Sequence, residues 1–203
     1  MKKFELTTNT KMFLGKKLFQ IKALINFGDV EAGELGGYIE KEENLDYDGD
    51  AWVSGNACVS DNARVSGDAR VSGNARVTDN AWVSGNARVS GDARVSGNAR
   101  VTDNAWVSGN ARVTDNAWVS GDAWVSDNAC YTTIKGFGRE YRTTTFFRCK
   151  DGKVRVQCGC FYGDLKEFRA IVKETHGKSK KAIEYLMIAD LMELHFEEKK
   201  NDK

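Results

Sequence analysis

The chain has 203 residues, which is enough for one or two domains. Its 30 lysines and arginines nearly balance its 29 aspartates and glutamates, and a net charge of +1 excludes a general attraction to nucleic acid or anionic membranes. No apolar run approaches the roughly 18 residues of a membrane-spanning helix and no signal peptide is evident, so we expect a cytoplasmic protein whose five cysteines are free thiols.

The first 43 residues have the pattern of short β-strands. Residues Lys17–Leu24 alternate between polar and apolar side chains, and the pairs Gly28-Asp29 and Gly36-Gly37 mark turns. The segment that follows is a repeat, whose end would expose unpaired strand edges. We therefore expect residues 1–43 to form a β-rich N-terminal cap on that repeat.

From Asp50 onward, the sequence is a six-residue repeat. It reads DAWVSG NACVSD NARVSG and continues in step to NACYTT at Asn128–Thr133, which gives 14 hexads in 84 residues without an insertion. Alanine occupies the second position of every hexad, and valine the fourth position of all but the last. Because these positions are two residues apart, both side chains lie on one side of a short strand, and stacked coils can bury them. A degenerate hexad at 44–49 extends the array upstream.

The corner positions of the hexad hold Gly or Asp followed by Asn or Asp, the residues that tolerate a left-handed backbone. The whole pattern resembles the left-handed parallel β-helix of hexapeptide-repeat proteins, in which three hexads form one triangular coil. That geometry predicts about 4.7 coils and a prism roughly 22 Å long. We expect a mainly β protein with this β-helix over residues 44–133.

The remaining residues, 134–203, predict an α+β C-terminal domain. Two alternating segments, Thr143–Cys149 and Lys153–Cys158, flank an Asp-Gly pair that is typical of a β-hairpin turn. Asp164 can cap a helix over Leu165–His176. The domain carries 16 basic against 11 acidic side chains, so a basic partner surface is expected at this end of the molecule.

A second helix is predicted from the capping residue Ser179 to about Glu198. It contains YLMIADLMELHF, which is apolar almost all the way round, so we expect the helix to be buried on more than one side. It can pack into its own domain, close the prism or join subunits. The helix carries more apolar side chains than one packed face requires, so we predict a homo-oligomer; the residues concerned are Leu186, Met187, Leu191 and Met192.

Three segments together carry a family resemblance: GGYIEKEENL, the hexad array and FFRCKDGKVRVQCGCFYGDLKEF. They resemble a family of hexapeptide-repeat proteins of phages and prophages of Gram-positive bacteria, whose members are often labelled transferase-like. The resemblance implies a setting in the cytoplasm of an infected bacterium. It also implies an accessory or anti-defence role.

The residues argue against an enzyme. Hexapeptide acyltransferases resemble this core, but they use a histidine as general base and loops that build a pocket, whereas the 14 hexads contain no His, Glu, Lys or loop. The two histidines, His176 and His195, lie in the C-terminal helices and are expected to be structural or exposed. Cys158 and Cys160 are separated by one residue rather than the two to four of zinc sites, so neither a metal nor another cofactor is expected.

The candidate binding residues occupy the outward third position of the hexads. Residues 18 apart stack on one face, and the column as a whole holds five tryptophans, seven arginines and two cysteines. Trp and Arg are enriched at binding hot spots, and where they alternate they favour cation–π stacking. A ladder of arginines about 5 Å apart is repulsive unless an anion or acidic partner lies over it, or unless the Asp residues at nearby corners neutralise it instead. The first face reads Trp52, Arg70, Arg88, Trp106, Trp124; the second reads Cys58, Arg76, Arg94, Arg112, Cys130; the third reads Arg64, Trp82, Arg100, Trp118.

Our leading hypothesis is a non-catalytic binding protein that engages a host protein or sequesters an anionic small molecule; we expect no membrane partner and no nucleic acid. The first alternative is a self-assembling structural scaffold. In that case the outward positions tolerate Arg, Trp or Cys equally, and these residues interchange by mutation because their codons can differ by one first-base change. The second alternative is a hexapeptide acyltransferase with an unrecognised site.

Overall fold

The computed structural model describes residues 2–138 and 142–197. The N-terminal segment forms β1 (Phe4–Phe13), β2 (Lys16–Ala23) and β3 (Leu35–Ile39). Thirteen two-residue strands, β4 to β16, then occupy the third and fourth positions of successive hexads. They are Trp52–Val53, Cys58–Val59, Arg64–Val65, Arg70–Val71, Arg76–Val77, Trp82–Val83, Arg88–Val89, Arg94–Val95, Arg100–Val101, Trp106–Val107, Arg112–Val113, Trp118–Val119 and Trp124–Val125.

The short strands stack into the three parallel sheets of a β-solenoid with about five turns, which confirms the predicted fold class. Strands 18 residues apart pair in register, as in Arg88 with Arg70 on one side and with Trp106 on the other. Every repeat Ala from Ala51 to Ala123 and every Val from Val53 to Val125 is at most 1% exposed. The apolar columns therefore form one continuous core along the axis.

The corners are held by backbone conformation and by side-chain ladders. From Gly49 to Gly121, the first residue of each corner is Gly or Asp and has φ between +58° and +69°. Glycine and aspartate enter this region at least cost. At one corner, the Asn62 amide donates to Asn80, Asn80 to Asn98, and Asn98 to Asn116, at 3.1 to 3.2 Å. Each coil therefore binds the next through side chains as well as backbone.

The N-terminal segment joins the solenoid rather than merely covering it. Strand β3 pairs in parallel with Cys58–Val59, and β2 and β1 continue the same sheet as an antiparallel hairpin, giving seven strands. The degenerate hexad extends the array upstream, but Leu45 rather than Tyr47 bridges Val65. Its register differs by two residues from the repeat, because Leu45 fills the buried position while Tyr47 stacks on Phe4 with ring centroids 4.8 Å apart.

The last hexad departs from the prediction, which placed Asn128–Thr133 in the solenoid. Residues Asn128–Cys130 form a 3₁₀ turn, and Tyr131 begins a strand that pairs antiparallel with a C-terminal strand. The physical cause is that Tyr131 stands where the repeat has its inward valine, and that a side chain from a later strand covers the end of the solenoid core instead. Phe147 of the C-terminal sheet is fully buried in the solenoid core.

The C-terminal domain is a four-stranded antiparallel sheet packed against two helices. Its sheet contains the predicted hairpin, and Asp164 and Ser179 cap the two helices as predicted. The elements are β17 (Tyr131–Phe137), β18 (Arg142–Arg148), β19 (Val154–Cys158), β20 (Phe161–Asp164), α1 (Leu165–His176) and α2 (Lys180–Phe196).

Helix α2 is buried along one side only within this chain, where sequence predicted more than one. Tyr185, Ile188 and Met192 pack into the domain core. The opposite side leaves a stripe of four apolar residues that are 55% to 67% exposed. These residues, here called the α2 stripe, are Ile183, Met187, Leu191 and Leu194. Neither α1 nor α2, the helices that the described residues form, has the length and apolar character to cross a membrane.

Candidate binding surface

On the first face, the N-terminal segment covers one end. Trp52 is only 3% exposed and meets the Phe27 ring edge-on at 5.4 Å between centroids. The Arg70 guanidinium donates to the Asp50 carbonyl oxygen at 2.7 Å and forms an ion pair with Asp29. Both side chains therefore attach the cap, and they are poor candidates for binding a partner. Arg88 and Trp124 remain exposed.

The exposed part of the second face is shorter than the sequence predicted, because residues at both of its ends are covered or displaced. Cys58 is buried, and the Arg76 guanidinium lies 5.1 Å from the centre of the Phe13 ring at the tip of the N-terminal hairpin. Cys130 leaves the face, because it lies in the 3₁₀ turn. The arginine ladder predicted at Arg76, Arg94 and Arg112 is in register, but only Arg94 and Arg112 are exposed.

The third face keeps the predicted alternation of tryptophan and arginine in the open. The Arg100 guanidinium lies between two indole rings, 5.8 Å from the centre of Trp82 and 5.6 Å from that of Trp118. Trp82 is 44% exposed. These distances satisfy the geometry of cation–π stacking, so the sequence prediction of such stacking is confirmed on this face.

Hydrogen bonds fix both indoles of the third face. Trp82 Nε1 donates to Ser66 Oγ at 3.0 Å, and Trp118 Nε1 donates to Thr102 Oγ1 at 3.1 Å. In each case the acceptor is the hydroxyl at the fifth position of an adjacent coil. The rings are therefore held in one orientation before any partner arrives.

A cleft lies at each end of the third face, and the two clefts have opposite charge. The N-terminal cleft, of about 390 Å³, is lined by Arg64 and Trp82 and by the carboxylates of Glu42, Glu43 and Asp46. The C-terminal cleft, of about 310 Å³, is lined by Trp118 and by two cations of the C-terminal sheet. Those cations are Lys135 and Arg142.

Arginines on the exposed parts of the faces remain available for an anion. Within residues 2–138 and 142–197, no carboxylate lies within 4 Å of the guanidinium of Arg64, Arg88, Arg94, Arg100 or Arg112, in contrast to Arg70. The exposed column can thus supply both flat apolar surface and positive charge.

The two histidines and Cys149 lie in the C-terminal part of the chain, outside the outward column. His176 stacks on Tyr185 at 5.9 Å, and His195 contacts Phe196, both within the C-terminal domain. Burial raises the pKa of the Cys149 thiol to about 11, which keeps it in the protonated, unreactive form. Among the described residues, no three His, Cys, Asp or Glu side chains are grouped so that they could hold a metal ion.

Sequence reasoning missed the residues that other segments bring to the column. Lys135, Arg142 and Gln157 reach the third face only because the C-terminal sheet docks on the last coils. The net positive charge of residues 134–203 was the one available signal. It indicated a basic surface at this end of the molecule but not which residues form it.

The architecture defines a repeat β-solenoid protein with a β-rich N-terminal segment and a helical C-terminal element. Parts of the solenoid are similar to the YdcK β-solenoid repeat, whose family model matches residues 69–85, 93–109 and 105–121. The matches cover less than a quarter of the chain and lie wholly within the hexad array. A search of curated proteins gives no match.

Proposed function

We propose that this chain is a non-catalytic binding protein whose third face holds its partner. The observation that carries the proposal is the Arg100 guanidinium held between the exposed ring of Trp82 and the half-buried ring of Trp118. The resemblance to phage hexapeptide-repeat proteins supports an accessory or anti-defence factor in the cytoplasm of a bacterial host. In this role the chain would engage a host protein or sequester an anionic small molecule.

The geometry of the third face favours binding because it is pre-organised. A partner that contacts Trp82 and Trp118 does not have to order them, since their Nε1 atoms are already hydrogen-bonded. Tryptophan and arginine are the side chains that most often dominate binding energy. The Arg100 guanidinium can also donate hydrogen bonds to an acidic group of the partner.

The scaffold and acyltransferase alternatives fit the third face less well. A scaffold needs no exposed indoles, although its outward positions can tolerate them. An acyltransferase needs a general base near its substrate, and both histidines lie in the C-terminal helices rather than on the solenoid. The binding hypothesis uses the features that these alternatives leave unexplained.

The test of the third face compares two matched double variants. We expect Trp82→Ser with Arg64→Gln to lose the partner at least about thirtyfold in affinity, because hot-spot truncations cost about 2 kcal/mol or more. The control is Arg94→Gln with Arg112→Gln on the second face, which should retain the partner. The measurement is affinity capture from a lysate of a Gram-positive bacterium, with bound proteins and small molecules identified by mass spectrometry.

Two results would contradict the proposal. One is capture of the same species, in the same amount, by the third-face variant and by the unmodified chain. The other is loss of the partner in the second-face control alone, which would move the site to the arginine ladder. Thermal unfolding of both variants checks that they fold, and exposed substitutions should change stability by only about 0.5 kcal/mol.

We also propose that the protein is a homo-oligomer that pairs through the α2 stripe with a second copy. Four half- to two-thirds-exposed apolar residues on one helix side form a surface that soluble monomers rarely leave uncovered. Lys180 and Lys181 lie at the start of α2 and Glu197 follows its end, so antiparallel pairing would bring opposite charges together.

We expect Met187→Glu with Leu191→Glu to convert the oligomer to a monomer, because the pairing would bury like carboxylates without partners. Sedimentation velocity at micromolar concentration measures the change. Lys173→Glu, an exposed substitution on α1, serves as the matched control and should leave the oligomer intact. A monomeric unmodified chain at this concentration would refute the proposal.

A further inference from the structure

The cleft at the C-terminal end of the third face, here called the junction cleft, has walls from two parts of the fold. The solenoid contributes Asn116 and Trp118, and the C-terminal sheet contributes the rest. Its volume of about 310 Å³ is at the lower end of the range for small-molecule sites. The residues of the second wall are Lys135, Arg142, Thr143, Gln157 and Gly159.

Buried hydrogen bonds hold the two walls together. The Trp118 backbone N–H donates to Thr145 Oγ1 at 3.0 Å, and Ser120 Oγ donates to Gln157 Oε1 at 3.1 Å. Ser120, Thr145 and Gln157 are each at most 6% exposed. Gln157 Nε2 is itself used, since it donates to the Gly159 carbonyl oxygen at 2.8 Å. The junction cleft is therefore a preformed feature rather than a gap between loosely attached parts.

The charge of the junction cleft is positive. Of its described lining residues, Lys135 and Arg142 are charged, and none is a carboxylate. Lysine and arginine side chains that converge on one small space favour a phosphate or a carboxylate group. Asn116 and Thr143 add neutral groups that can donate or accept hydrogen bonds.

The indole of Trp118 is the flat aromatic side chain among the described residues that line the junction cleft. The Arg100 guanidinium, from the preceding coil, lies 5.6 Å from the centre of the Trp118 ring. The other residues of the junction cleft come from the C-terminal sheet, apart from Asn116. The indole Nε1 is already occupied by Thr102. A ligand therefore meets the ring as a stacking surface, and aromatic stacking tolerates any flat heterocycle.

From these observations, we propose that the junction cleft binds a mononucleotide. The base stacks on Trp118, the phosphate lies between Lys135 and Arg142, and the Asn116 amide bonds the edge of the base. This inference rests on the proposed function, because it gives the chemical class of the anionic small molecule that the third face would hold. It adds residues of the C-terminal sheet to that surface.

The experiment titrates adenosine 5′-monophosphate into the full-length protein by isothermal calorimetry. Lys135→Gln with Arg142→Gln should weaken binding about a hundredfold, because two charge-assisted contacts are lost. Trp118→Leu should weaken it about tenfold through lost stacking. The matched control is Arg94→Gln with Arg112→Gln on the second face, which lies outside the junction cleft and should leave the affinity for the nucleotide unchanged.

Two smaller ligands test the contact with the base and the contact with the phosphate separately. Adenosine and inorganic phosphate should each bind at least about tenfold more weakly than the nucleotide, because each lacks one of the two contacts. If inorganic phosphate binds as tightly as the nucleotide, no base is recognised and the proposal is wrong. If a short single-stranded oligonucleotide binds far more tightly than the mononucleotide, the third face is a nucleic-acid surface and the proposal is also wrong.

Failure of this inference is distinguishable from failure of the proposed function. If the nucleotide gives no heat at millimolar concentration, or binds the Lys135 and Arg142 double variant equally well, the junction cleft is not a nucleotide site. The third face still stands as a binding surface if the Trp82 and Arg64 variant loses its captured partner. Circular dichroism of each variant confirms that its fold is unchanged before the titration.

Discussion

Val89→Asp is expected to unfold the solenoid. Val89 is fully buried and pairs in register with Val71 on one side and Val107 on the other, which are buried to the same extent. A carboxylate at this position has apolar neighbours and no cation to pair with, and burying such a charge costs several kcal/mol. That cost approaches the whole stability of a typical domain, about 5–15 kcal/mol.

The central position of Val89 in the array increases the expected loss of stability. Strand β10 lies in the middle coil of its face, and each coil contacts only its neighbours, so a defect there interrupts the core on both sides. Circular dichroism and urea unfolding measure the loss. The control is Arg88→Asp on the same strand, where the side chain is exposed and the stability should change by only about 0.5 kcal/mol. A soluble Val89→Asp protein that unfolds cooperatively at an unchanged urea concentration would contradict the assignment of the inward column.

The solenoid could be predicted from sequence because the same local choices are repeated thirteen times. Each hexad places Ala and Val two residues apart and follows them with residues that accept a left-handed backbone. No long-range information is needed to decide which side of such a strand is buried. The caps of α1 and α2 were predictable for a similar reason, since Asp164 and Ser179 act within one turn of their own helices.

The ends of the solenoid could not be predicted in the same way. Leu45 and Tyr47 are both apolar enough to fill the first buried position, and the choice depends on Phe4, which stacks on Tyr47 from a distant strand. The last hexad has the repeat Ala at Ala129. It leaves the array because Phe147, from a later strand, fills the end of the core. Competition between distant segments decides both cases.

The candidate binding residues likewise include features that the repeat predicts and features that distant segments decide. The outward column and its cation–π stacking follow from the period of 18 residues, and the structure shows the stacking on the third face. Which members of the column are covered depends on the hairpin and on the loop before β3, which bring Phe13 to Arg76 and Asp29 to Arg70. No feature within the hexads themselves distinguishes these two arginines from the exposed ones.

The second large effect is expected from Gly49→Ala. Gly49 has φ +69°, and a side chain in this region costs roughly 1–2 kcal/mol. An added Cβ would also strike the Gly67 carbonyl oxygen and lie 2.9 Å from its carbonyl carbon. That oxygen accepts the backbone N–H of Ala51 at 2.8 Å, one of the bonds that joins the first complete coil to the next. We therefore expect a total loss of about 3 kcal/mol or more, from backbone strain together with a displaced coil.

Gly55→Ala separates these two causes, because it shares the conformation without the collision. Gly55 has φ +63°, but its added Cβ would come no closer than 3.2 Å to the neighbouring coil. Only the backbone strain of roughly 1–2 kcal/mol is expected there, and Asp61, at the same position of the next hexad, shows that this strain is tolerated. Urea unfolding of both variants measures the difference. Equal losses would mean that the coils around Gly49 can separate freely, and that the close contact with Gly67 does not stabilise the start of the solenoid.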